Sequence, residues 1–192
     1  MGRRSEDAYD NALGLREVEI AVADTFEGEF SIVTGQPVKI LSAGESPDRV
    51  MLLDGIETGI ELTSIKAGSA CEIISEVLRL ARQKNDSYER WAIFNTRPII
   101  LLGHLDWPSK EVEGPALYDM QEELAALIVP GDFEGFRFSE IWLMDAGSKY
   151  TSRQDPRMPA DFFCFAPTDK SGFWQRERKR RPYWGLVRHF LA

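Results

Sequence analysis

The chain has 192 residues, 43% of them hydrophobic, 28% charged and 11% aromatic, which fits one globular domain over residues 1–192 and excludes a chain too polar to bury a core. Two cysteines, Cys71 and Cys164, lie far apart with no CxxC or Cys/His cluster, so neither a disulfide framework nor a structural zinc site is indicated. No apolar run approaches the roughly 18 residues that a bilayer span needs, and no apolar leader opens the chain; a soluble, cytoplasmic protein with no membrane partner is expected.

The net charge of −8 is unevenly placed. From residue 170 onward seven basic residues face Glu177 alone, a balance of +6, which leaves −14 on the first 169 residues. This C-terminal segment, 170–192, interleaves Arg176, Arg178, Lys179, Arg180 and Arg181 with Phe173, Trp174, Tyr183 and Trp184. Lys/Arg clusters bind phosphates by counterion release and aromatic rings stack on unpaired bases, so nucleic acid is the partner that suits it. The plainer alternative is a solvated charged tail whose aromatics pack back onto the core. The composition leaves the oligomeric state open, a homodimer included.

In chain order, Ser5 to about Leu13 can start a helix, while Glu17 to Val22 alternates polar and apolar residues for part of its length and reads as helix or strand. Phe30–Val33 and Val38–Leu41 read as short strands around the turn residues Gly35, Gln36 and Pro37. Arg49–Leu53 and Gly59–Ile65 are strands joined through Asp54-Gly55, a strong hairpin signal. Ser69, with Glu72 three positions on, forms a capping box for a helix whose Ile74, Val77, Leu78 and Ala81 make one apolar stripe, ending near Lys84. Trp91–Asn95 and Ile99–Leu102 are buried-type strand runs separated by Pro98. Pro115 opens a second amphipathic helix carrying Leu117, Met120, Leu124, Leu127 and Ile128 up to Pro130-Gly131. Phe136–Met144 and Asp161–Phe165 are further strands, joined by a polar loop over 145–159. The pattern is α/β (α+β): a mixed central sheet that includes a β-hairpin and is flanked by helices.

If Asp54 and Gly55 are the central residues of a type I′ turn, Leu53 faces Ile56 and facing residue numbers sum to 109 along the hairpin. Asp48 then faces Glu61, with Cβ atoms roughly 4.5–5.5 Å apart on one face of the sheet. Like charges so close repel, and a cation is expected between them; Mg²⁺ takes oxygen ligands, commonly one or two carboxylates completed by waters and phosphate. Alternatively a bulge shifts the register, or Arg49 and Lys66 neutralise the acids as ordinary surface charges.

Ser46-Pro47-Asp48, the hairpin, and Gly59-Ile60-Glu61-Leu62-Thr63 followed by a helix resemble the PD-(D/E)XK superfamily of restriction-endonuclease-like nucleases, over about residues 45–103. The resemblance implies a restriction-endonuclease-like core of helix, three strands, helix and strand, and a Mg²⁺- or Mn²⁺-dependent phosphodiesterase acting on DNA or RNA. It implies Asp48 and Glu61 as metal ligands, joined by an upstream acid of the first helix, for which Glu19 or Glu17 stands in the right part of the chain. Thr63 occupies the position of the family's lysine, which steadies the attacking hydroxide and the developing phosphoryl charge; a threonine hydroxyl has no charge to offer. Lys66, three residues later and just before Ala67-Gly68, is expected to swing back and supply it. Asp48, Glu61, Lys66 and Thr63 are thus the expected catalytic set.

Other candidates have plainer explanations. His104-Leu105-Asp106 follows a buried strand and can bring an imidazole and a carboxylate to a sheet edge, yet a structural histidine hydrogen-bonded in a loop is the plainer explanation. Cys71, one helical turn from Ile74, reads as core, Ser69 as a cap, and no glycine pattern matches a P-loop or dinucleotide fingerprint. The sequence points to a metal-dependent nuclease-like protein. Beside it stand a catalytically inactive nuclease-fold protein that binds nucleic acid or a protein partner, favoured by Thr63 and the acidic body, and an unrelated α/β protein with a fortuitous acid pair.

Overall fold

The computed structural model describes residues 3–43, 47–106, 117, 120–129, 131–145, 160–176 and 186–190. Its first element is a helix, α1 (Arg3–Thr34), which includes both Glu17–Val22 and the Phe30–Val33 stretch expected as a strand. Val22, Ala23, Phe26, Phe30 and Val33 are all buried and recur every three to four residues. A stripe of that period can meet a sheet only as a helix, and it overrides the local β-preference of four residues.

The meander of β1 (Val38–Ala43), β2 (Arg49–Leu53) and β3 (Ile56–Lys66) is antiparallel. The helix α2 (Ala70–Arg90) then carries the chain back, so that β4 (Ile99–Asp106) pairs parallel to β3. After α3 (Gln121–Leu127) and α4 (Gly131–Glu134), β5 (Glu140–Asp145) is again parallel to its neighbour β4. The antiparallel strands β6 (Asp161–Ala166), β7 (Gly172–Arg176) and β8 (Leu186–Phe190) complete an eight-stranded sheet whose spatial order follows the sequence. The architecture is mixed α/β, a mixed sheet with helices on both faces.

Period-two alternation divides the core between those faces. Met51, Leu53, Ile60, Leu62, Ile100, Leu102 and Trp142 pack with the α1 stripe, where Phe26 stacks on Phe30 at 4.4 Å and Phe30 meets Trp142 edge-on at 5.0 Å. Ile65, Ile99, Leu101, Leu105, Ile141 and Leu143 pack with α2, α3 and α4. Glu61, one residue from Ile60 and Leu62, therefore lies on the α2 face.

Three expectations need correction. The Trp91–Asn95 run is not a strand: α2 continues past Lys84 to Arg90, Ala92 takes a positive φ of 56°, and a 3-10 turn spans Ile93–Asn95. Trp91 is 73% exposed, so no neighbouring strand covers it. The second amphipathic helix is shorter than expected where it is described, starting at Gln121, although Leu117, Met120, Leu124 and Ile128 are buried as its stripe requires; Pro115 and the loop residues 146–159 lie outside the described residues. Finally, of the C-terminal aromatics expected to stack on bases, Phe173 and Trp174 lie on a strand of the sheet, β7, and pack back onto the core. Phe173 is buried, and Trp174 meets Trp142 at 5.7 Å while its Nε1–H donates to the Lys170 carbonyl at 3.0 Å. Those two rings are packed against the protein and are not open to stack on bases.

The first edge strand is irregular. β1 carries a bulge between Ile40 and Ser42, and the Glu27 carboxylate of α1 accepts the Ile40 N–H at 3.1 Å. Among the described residues no helix is long and apolar enough to cross a membrane.

Candidate functional site

The site begins with the turn. Asp54 (φ 48°) and Gly55 (φ 81°) both take the left-handed conformation of a type I′ turn. Pairing then runs without a bulge from Leu53↔Ile56 to Arg49↔Ile60, the register expected from the sequence. Asp48 lies just before the paired stretch, where its Oδ2 accepts the Leu62 N–H at 2.8 Å and its carboxyl is within reach of the Glu61 charge. Gly59 makes this approach possible. A Cβ there would lie 2.6 Å from Ile99 Cδ1 and 2.7 Å from Pro47 Cγ, so only a bare Cα lets the buried Pro47 ring lie across β3 and fix the residue that precedes Asp48. Arg49 does not neutralise the acid: its Nη1 donates to the Asp48 backbone carbonyl at 2.7 Å.

Glu61 is 3% exposed, and both of its oxygens are engaged from α2. Lys84 Nζ forms an ion pair and hydrogen bond with Oε1, and the Tyr88 hydroxyl donates to Oε2. The two residues are four apart and share one helical face. Neither is a site candidate in the sequence reading, where Lys84 stands only as a helix end, yet a signal is there: Val77 and Ala81 lead at helical spacing to Lys84 and Tyr88, which are polar groups on an apolar stripe. The helix runs six residues beyond Lys84, to Arg90. Buried Asn85, the residue after Lys84, accepts the Arg137 N–H at 2.9 Å.

The electrostatics follow from this geometry. Burial, and next the Glu61 charge, push the Asp48 carboxyl up from 3.8 to about 6; the Leu62 N–H and the Lys84 ammonium pull the other way, and Glu19 adds a small upward push. Two carboxylates thus lie in the field of one ammonium, which α2 holds against Glu61.

The remaining expected residues are distributed differently. Thr63 is half-buried on the face of Glu61 and pairs with Gly103 of β4. Lys66 does not swing back. It is the exposed last residue of β3, about 16 Å along the strand from Glu61 at roughly 3.3 Å per residue, and its charge acts on Glu76 of α2 instead. Glu19 of α1 lies near enough to Asp48 for its charge to act on that carboxyl, while among the described residues no group of three or more His, Cys, Asp or Glu side chains is arranged to hold a metal ion. His104 is buried within β4, where desolvation lowers its proton affinity against the opposing pull of Asp106. Cys71, expected in the core, is exposed on α2. Arg176 ends β7, its backbone paired with Leu186, and Arg178, Lys179, Arg180 and Arg181 lie outside the described residues.

Chemically, two hard oxygen donors and a primary ammonium meet at the mouth of a hairpin. That set can coordinate a divalent cation and offset charge on a phosphoryl group. Compared with known proteins, the chain matches no family model, no curated protein and no solved structure.

Proposed function

We propose that the chain is a metal-dependent nuclease-like protein with a restriction-endonuclease-like fold, hydrolysing phosphodiester bonds of DNA or RNA. The observation that carries this reading is the Lys84 ammonium on Glu61, beside Asp48. It supplies from a helix the positive charge that Thr63 does not supply from the strand. The element order of helix, three strands, helix, strand from α1 to β4 supports the same reading.

The donor set fits a hard cation: Asp48 and Glu61 offer carboxylate oxygens only, and Asp48 is reluctant to hold its charge unaided. Mg²⁺ or Mn²⁺ held by these two side chains would activate a water and polarise the scissile phosphate. The chain's own contribution is positioning and charge. The Leu62 N–H orients Asp48, and Lys84 and Tyr88 orient Glu61. Lys84 offsets negative charge gathering on the phosphoryl oxygens. Arg176, Arg178, Lys179, Arg180 and Arg181 are the proposed contacts to the nucleic-acid backbone, since the acidic body otherwise repels a polyanion.

The test is cleavage of plasmid, single-stranded DNA and single-stranded RNA with Mg²⁺ or Mn²⁺, comparing wild type with Asp48→Ala, Glu61→Gln and Lys84→Met. Each variant should lose on the order of 10²-fold or more in rate. Cleavage that survives chelation, or that persists in Asp48→Ala, overturns the proposal. Nucleic-acid binding by the wild type without cleavage under any metal would replace it with the inactive, binding-only reading.

A further inference from the structure

We infer that Tyr88 is a positioning residue of this site: its phenol fixes the plane of the Glu61 carboxylate so that the oxygen lone pairs left over turn toward Asp48. The inference rests on the metal-dependent reading above and names a residue on which that site depends.

A carboxylate offers about four acceptor positions on its two oxygens. Lys84 takes one on Oε1 and Tyr88 one on Oε2, which leaves an acceptor position on each oxygen for a cation shared with Asp48. Lys84 alone cannot set the plane, because an ammonium on a flexible stem acts as a point charge. The terminal torsion of a glutamate is broad, so with only one oxygen tethered the group rotates.

Tyr88, by contrast, is rigidly held. It is 3% exposed, with its ring against Phe94 at 5.5 Å and Phe138 at 6.2 Å, and those two rings meet edge-on at 5.2 Å. The Arg137 guanidinium lies 5.3 Å from the Phe94 centroid and donates to Asn95 Oδ1 at 3.1 Å, while the Arg137 N–H donates to Asn85 Oδ1 at 2.9 Å. The phenol is therefore anchored through α2, the turn that follows it and the approach to β5. A scaffold of this kind aims a donor at one oxygen of one acid.

The test uses the full chain and Mn²⁺ alone as probe, with affinity read by electron paramagnetic resonance of the free ion. Tyr88→Phe keeps the ring and removes only the O–H. It should weaken Mn²⁺ binding by roughly 10-fold to 100-fold, the usual effect of removing a partner behind a metal ligand, and raising Mn²⁺ should recover the lost cleavage rate. Replacing Tyr88 with 4-aminophenylalanine restores an N–H donor at the same place and should restore affinity, which a purely structural role would not require. Wild-type binding matched by equal binding in Tyr88→Phe refutes the role of Tyr88 and leaves the nuclease reading standing. A wild type that binds no Mn²⁺ overturns both. Should Tyr88→Phe not fold, Phe94→Leu loosens the ring's seat and leaves the phenol; unchanged Mn²⁺ affinity there refutes the inference equally.

Discussion

Replacing Asp48 by asparagine should make the metal-free protein more stable, and only at pH values where the wild-type carboxyl is charged. Burial and Glu61 raise the folded-state value from 3.8 to about 6. The folded chain therefore holds this proton more tightly than the unfolded chain, so ionised Asp48 costs stability above about pH 6. That cost shrinks as pH falls through 6 and is gone below about 3.8, where both states are protonated. Two pH units at about 1.4 kcal/mol each would give about 3 kcal/mol; Asp48 is only partly buried, and water screening reduces this to about 1–2 kcal/mol. Asparagine keeps an oxygen for the Leu62 N–H and removes the charge facing Glu61. Urea unfolding in chelator, followed by tryptophan fluorescence, should show a gain of about 1–2 kcal/mol at pH 8 that vanishes near pH 4, equivalent to about 2–4 °C of melting temperature per kcal/mol in a chain of this size. Added Mn²⁺ should reverse the order, since it stabilises only the protein that binds it. A loss of stability at pH 8, or an equal gain at both pH values, would refute the reasoning and make Asp48 an ordinary structural group.

Two further substitutions test the supports of the site. Gly59→Ala forces a methyl into the 2.6–2.7 Å gaps to Ile99 and Pro47; it should cost about 1–3 kcal/mol in urea unfolding, the range for an overpacked core, and weaken Mn²⁺ affinity by moving the segment that carries Asp48. Ser69→Ala removes the side chain that receives the Glu72 N–H, while Glu72 Oε2 accepts the Ser69 N–H at 2.9 Å; losing this reciprocal cap should cost about 1 kcal/mol, without changing Mn²⁺ affinity.

How far the sequence could be read depended on the distance over which each feature is determined. The hairpin was legible because Asp54 and Gly55 determine the turn locally, and the turn determines the register through to Arg49 and Ile60, the neighbours of Asp48 and Glu61. The capping box at Ser69 was legible for the same reason. Lys84 and Tyr88 were not, because they meet Glu61 from 23 and 27 residues away through the packing of a whole helix. Thr63 directed attention along the strand to Lys66, whereas the charge comes from across it. Phe30–Val33 resembles a strand only when its four residues are taken apart from the buried stripe that begins at Val22. Trp91–Asn95 was misread because aromatic and β-branched content resembles a strand even where the chain is turning at Ala92. The last two strands were hidden by charge: the segment reads as a basic tail, yet Phe173 and Trp174 close the far side of the core.

The irregularity of β1 has a bearing on self-association. Val38, Ile40 and Leu41 sit in a strand at the margin of the sheet, the kind of segment that templates cross-β growth when its ladder is open. Here an incoming strand meets a bulge at Ile40/Ser42 and a backbone donor already occupied by the Glu27 carboxylate. Each added chain would have to displace that acid and accept an interrupted ladder, and the copies would meet through bodies of −14. Fibrillar stacking from this margin is opposed by both shape and charge, so the folded protein should stay dispersed at concentrations where the same six residues, freed by unfolding, would nucleate aggregates.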